Sequence, residues 1–169
     1  MVPKSLVIGI AAAGILIHTG LGSRADDNLA AVIRELSQAG VSLTQALKTS
    51  EREGKPISAE YDVEDGGLQI SVYAKSGDQF SEVIVDPKSG SIIKTSPLTD
   101  PKEINEAEAQ SAAIAKAKLP LEAALEAAVS ANSGYRAVSV IPMLDEDEPV
   151  ATIILIKGED IKTVVEKLN

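Results

Sequence analysis

The chain has 169 residues, 44% of them apolar, which suits one large domain or two small ones built on a genuine core. It carries 16 basic residues against 25 acidic, a net charge of −9, with three Tyr, one Phe and no Trp. It therefore lacks both the basic surface that nucleic acid and anionic lipid require and the rings on which bases or sugars stack. There is no cysteine and a single histidine, His18, which removes thiolate and imidazole nucleophile systems, disulfides and zinc sites of ordinary composition.

Lys4, the apolar run 6–17 and a tail of small residues ending at Ala25 have the layout of a secretory leader. Twelve apolar residues fall short of the roughly 20 that a spanning helix needs, so cleavage between Ala25 and Asp26 is expected over a retained membrane anchor. Cleavage removes His18 with both leader cations, leaving 14 basic residues against 25 acidic and a net charge of −11. Residues 1–25 thus read as a signal peptide. The remainder reads as a periplasmic or secreted protein that is not integral to the membrane after processing.

The mature chain opens with a helix that Asp27 or Asn28 can cap, since Leu29, Val32, Ile33 and Leu36 share one face and Gly40 ends the pattern. A second helix begins at Ser42, with Gln45 in capping-box position and Leu43, Ala46 and Leu47 on its buried side. From Pro56, the residues Ile57, Ala59, Tyr61 and Val63 alternate with Ser58, Glu60, Asp62 and Glu64, the pattern of a half-buried strand. Asp65-Gly66-Gly67 turns it into a second strand carrying Leu68, Ile70, Val72 and Ala74 inward and Tyr73 outward, where it is a candidate contact residue. A third strand over 80–86 carries Val83 and Val85 inward. Clean alternation predicts a sheet covered by helices on one face and wet on the other.

The segment EVIVDPKSGSII, 82–93, reads as strand, tight turn, strand: Pro87 fixes φ for a type I turn, Gly90 supplies positive φ, and Asp86 accepts hydrogen bonds from its own turn. With the helix and strands before it, the stretch 41–93 resembles the PepSY domain, a small α+β module of bacterial envelope proteins whose commonest feature is a Val-x-Val-Asp-x-x-(Ser/Thr)-Gly run. The resemblance implies a non-enzymatic role, because PepSY domains occur in propeptides of thermolysin-type metallopeptidases and in other exported proteins and are proposed to inhibit or regulate peptidases or to mediate binding.

After Ser96-Pro97-Leu98-Thr99-Asp100-Pro101 the composition turns alanine-rich, and Pro120 divides the run into helices over 103–118 and 121–131. Here the chain repeats itself. VSLTQALKTS at 41–50 aligns with LPLEAALEAA at 119–128, each followed by glycine, strand, acidic turn and strand. The later strands fall at 135–141, 150–157 and 161–166, and no second VDPKSG turn follows. The expected fold is α+β: two PepSY-like units, at 26–98 and 99–169, each with N-terminal helices packed on a small antiparallel sheet. The strands of the second unit are apolar on both faces, so their second face must pack on unit 1, on the linker helix or on another subunit, and a homodimer through unit 2 follows from the last case.

No glycine-rich phosphate loop, nucleophile elbow or paired-acid motif appears, so neither an enzyme nor a cofactor is expected. The acidic tips offer the alternative of a small binding protein for divalent ions, with Asp62, Glu64, Asp65, Asp145 and Asp147 as candidate ligands. Neither tip has the EF-hand order, and solvated turn charge explains both. The favoured expectation is an envelope interaction module whose partner is another envelope protein or a peptidase, regulated or inhibited in trans.

Overall fold

The computed structural model describes residues 22–169. Helix α1 (Gly22–Glu35) runs into a 3-10 turn (Leu36–Gln38), starting upstream of the expected caps, so Asp27 and Asn28 lie inside the helix. Residues 1–21 of the leader lie outside the described residues, and the Ala25–Asp26 junction falls within α1. Helix α2 (Leu43–Ser50) begins as its sequence dictates. The Ser42 hydroxyl accepts from the Gln45 amide and the Gln45 side chain accepts from the Ser42 amide, a complete capping box. Four strands follow, β1 (Lys55–Glu64), β2 (Gly67–Ser76), β3 (Gln79–Val85) and β4 (Ile92–Pro97). Then come helices α3 (Pro101–Lys116) and α4 (Leu121–Ala131), and strands β5 (Arg136–Asp145), β6 (Glu148–Lys157) and β7 (Asp160–Lys167). Among the described residues no helix is long and apolar enough to cross a membrane.

The class is α+β with four helices and an antiparallel sheet, but the expected pair of small sheets is a single one. Its seven strands run β4-β3-β2-β1-β5-β6-β7, joined where Ala59 opposes Val140 and Glu60 opposes Ser139. Long-range pairing of this kind leaves no mark in either strand's own pattern. The internal repeat survives in the backbone at a constant offset of 81 positions from strand to strand. Gly77 and Gly158 both have positive φ, as do Asp65-Gly66 and Glu146-Asp147 at the hairpin tips, and register shifts occur at residues 57 and 138. Ala59 and Val140 are such a pair, so the two halves meet about a local twofold. The loops correspond as well: the amides of Gly40 and Val41 donate to the Pro87 carbonyl, and those of Lys118 and Leu119 to the Leu168 carbonyl.

One face of the sheet carries Ala59, Tyr61, Ile70, Val72, Val83, Val85, Val140, Ile153 and Leu155, all buried under α2 and α4 through Leu43, Leu47, Leu121 and Leu125. The other face corrects the sequence reading. It is not wet in the first half, because α1 and α3 lie over it: the Asn28 side chain donates to Asp62, and Ser58 Oγ donates to Gln110 of α3 across 2.7 Å. Ser58, Glu60, Asp62, Ser71, Tyr73 and Glu82 are consequently buried, and Tyr73 is no surface contact residue. Alternation of polar and apolar residues is the same whether the polar side meets water or a helix bearing polar groups. In the second half this face carries Ile154 and Ile156, and α3 covers it, the second of the three arrangements expected for it.

Candidate interaction surface

The residues singled out in sequence fall into two groups, the motif turn and the acidic candidates. The motif turn is structural. Asp86 Oδ1 accepts from the amides of Lys88 (3.0 Å) and Ser89 (2.6 Å) and from the Ser89 hydroxyl (2.9 Å), and the Ser89 amide and hydroxyl hold the carboxyl below its ordinary range. Pro87 is buried, and its carbonyl receives the amides of both Gly40 and Val41. Gly90 has φ +75°, and a Cβ there would stand 3.4 Å from a Val41 methyl. Gly90→Val should therefore lower stability by about 1–3 kcal/mol, read as a reduced melting temperature with the folded spectrum retained. An unchanged melt would remove the turn from this role.

The acidic candidates are not brought together. Because β1 and β5 run antiparallel side by side, the β1–β2 tip with Asp65 and the β5–β6 tip with Asp145 and Asp147 lie at opposite ends of the sheet. Asp62 is buried against Asn28, Glu64 meets Gln69, and Asp147 bonds the Lys116 ammonium at 3.0 Å. Among the described residues no group of three or more His, Cys, Asp or Glu side chains is placed to hold a metal ion.

Two polar centres, the buried Glu60 and the half-buried Arg136, escaped the sequence reading. Glu60 sits at the β1–β5 junction with its Oε2 lacking a hydrogen-bond partner among the described residues, as does Oγ of Ser139 directly across. Burial, reinforced by the charges of Asp62, Glu82 and Glu106, pushes its pKa up to about 8. The carboxyl is neutral at pH 7. Arg136 lies where β1 and β5 part and the chain passes from α1 to α2. Its guanidinium donates to the carbonyls of Leu36 (3.2 Å), Ala39 (2.8 Å) and Val41 (2.8 Å) and to the Tyr61 hydroxyl (2.6 Å), with the Tyr61 ring 5.2 Å away.

Two strands end the sheet, β4 with its exposed Ile93 and β7, and the β7 edge is the one whose apolar residues stand against buried counterparts in the other half. Phe80 and Ile84 of β3 are 8% and 9% exposed, whereas their counterparts 81 positions later, Ile161 and Val165 of β7, are 45% and 58% exposed. The difference has a plain structural cause. β4 pairs along β3 and the Leu98 amide donates to the Phe80 carbonyl, while β7 is an end strand of the sheet with no strand beyond it among the described residues. The amide of Leu168 donates to the Pro149 carbonyl and its own carbonyl takes two amides, which ties down the end of the edge. A cleft of about 330 Å³ opens elsewhere, between Leu47, Pro56, Ile114 and Leu121, mouthed by Glu51, Lys55, Lys118 and Glu122. Its charges are of both signs, and all but the half-buried Glu122 are exposed.

No family model matches the chain, and no curated protein matches it. Among solved structures, the chain is similar to the crystal structure of "a putative lipoprotein" from Clostridium difficile 630, at 15% identity and a TM-score of 0.42, over 78% of this chain and 88% of that one. So loose a likeness carries no argument, and the fold described above rests on its own strands and hydrogen bonds.

Proposed function

We propose that this protein is a non-enzymatic interaction module of the bacterial cell envelope, exported by its leader, which binds a protein partner along the open β7 edge. The observation that carries the reading is the contrast between buried Phe80 and Ile84 and exposed Ile161 and Val165 at equivalent positions. An unpaired edge presents a row of backbone donors and acceptors, and strand addition satisfies them while covering the apolar side chains beside it. The PepSY resemblance of 41–93 supports the same class of role and suggests an exported peptidase, regulated in trans, as a partner of that half of the chain.

A photo-crosslinking side chain at Val165, expressed in intact cells of the source organism, tests this. Adducts of discrete mass with protein are expected at Val165 and at Ile161, and not at Lys48 on the exposed side of α2. Absence of any adduct at both β7 positions would overturn the reading.

A further inference from the structure

We infer that the strand received by the β7 edge is β7 of a second copy of this chain, paired antiparallel about a twofold axis through Val164. The inference rests on the reading of β7 as the contact edge and names its occupant. β7 has the sequence DIKTVVEK. Antiparallel pairing with itself about Val164 sets Lys162 against Glu166, Thr163 against Val165 and Ile161 against Lys167, each twice, and Val164 against Val164, with residues of one face meeting one face. Opposite charges directly across a pair stabilise it and like charges oppose it. Shifting the axis to Thr163 would instead set Asp160 against Glu166 twice, and the charge pattern selects the Val164 register.

Three further observations favour a second copy as the occupant. The chain is acidic, at −9, yet β7 is locally neutral, with Asp160 and Glu166 against Lys162 and Lys167, so net self-repulsion along this edge is small. The sheet already contains one such junction, since β1 and β5 join its two halves antiparallel about a local twofold. Finally, Ile161 and Val165 continue the apolar face of Ile154 and Ile156 past the cover of α3, and in the dimer each Val165 is covered by Thr163 and each Ile161 by the aliphatic stem of Lys167 of the other copy. The result is one continuous sheet of two sevens. Lys162 is available for the contact: it is exposed, its Nζ lies 3.2 Å from Asn132 Oδ1 at the surface, and it stands 4.7 Å above the Tyr135 ring.

The test is a charge swap read by sedimentation equilibrium on the exported chain. The unsubstituted protein should be a reversible dimer. Lys162→Glu and Glu166→Lys should each weaken it by about tenfold or more, since each turns two attractive pairs into repulsive ones. The double variant K162E/E166K should return to within about threefold of the original, and so should an equimolar mixture of the two single variants, in which each chain supplies the other's missing charge. The mixture settles the matter even if one variant is less stable, because recovery requires both folded. A chain that stays monomeric at about 1 mM overturns the inference, as does a dimer that neither the swap nor the mixture restores. If the protein is monomeric while the Val165 probe captures a different protein, the second copy is the wrong occupant and the edge is still the contact surface. If neither dimer nor adduct forms, both readings fall.

Discussion

Glu60→Gln should make the protein more stable at pH 8 and flatten its dependence on pH. In the folded chain burial holds the carboxyl neutral up to about pH 8, whereas in the unfolded chain it ionises near the ordinary 4.5. Between these values the folded state binds a proton that the unfolded state has lost, so stability falls as pH rises through the window. Below 4.5 both states are protonated and Glu60 costs nothing extra. Above 8 the full linkage cost applies, on the order of 4–5 kcal/mol. Glutamine keeps the shape and has no proton to lose, so the variant's urea midpoint should match the parent near pH 4 and exceed it increasingly toward pH 8. Parallel pH profiles for the two would show that Glu60 is not held neutral.

The opposite sign is expected at Arg136. Replacing it with Met keeps much of the aliphatic stem but removes the donors for three backbone carbonyls and the Tyr61 hydroxyl, in the seam where the 3-10 turn crosses between β1 and β5. The Leu36 carbonyl keeps the Ala39 amide and the Val41 carbonyl keeps the Tyr61 hydroxyl, so the loss is the donor to the Ala39 carbonyl together with the charge-assisted bonds, roughly 2–4 kcal/mol. Arg136→Lys should recover little, because one ammonium cannot span the fork that serves Leu36, Ala39 and Val41 at once. Urea denaturation gives the magnitude. A loss under about 1 kcal/mol for Arg136→Met would mean that the seam is held by something else.

Much of the local structure was legible in the sequence because its causes are local. The capping box at Ser42, the break at Pro120, the hairpin tips and the motif turn each depend on residues within a few positions of one another, and each appears where those residues stand. The repeat was also legible, and with it the clue to the β7 edge, since aligning Ile161 and Val165 with Phe80 and Ile84 already asks what replaces β4. What stayed hidden depends on partners far apart in the chain. Ser58, Glu60 and Asp62 look like the wet side of a strand because nothing nearby says that Gln110 and Asn28 will cover them. Arg136 opens a strand with no sign that it will reach residues nearly a hundred positions earlier. The single sheet escaped for the same reason, its junction being two residue pairs between segments that each look complete alone.

Amide hydrogen exchange along β7, followed residue by residue as the protein concentration is raised, tests the central claim most directly. In the dilute chain every second amide of β7, those pointing away from β6, should exchange rapidly while their counterparts in β3, bonded to β2 or β4, stay protected. On association the same β7 amides should become protected with β3 unchanged. Outward β7 amides already as slow as those of β3 in the dilute monomer, or still fast in the associated protein, would contradict the account of β7 as an open edge that receives a strand.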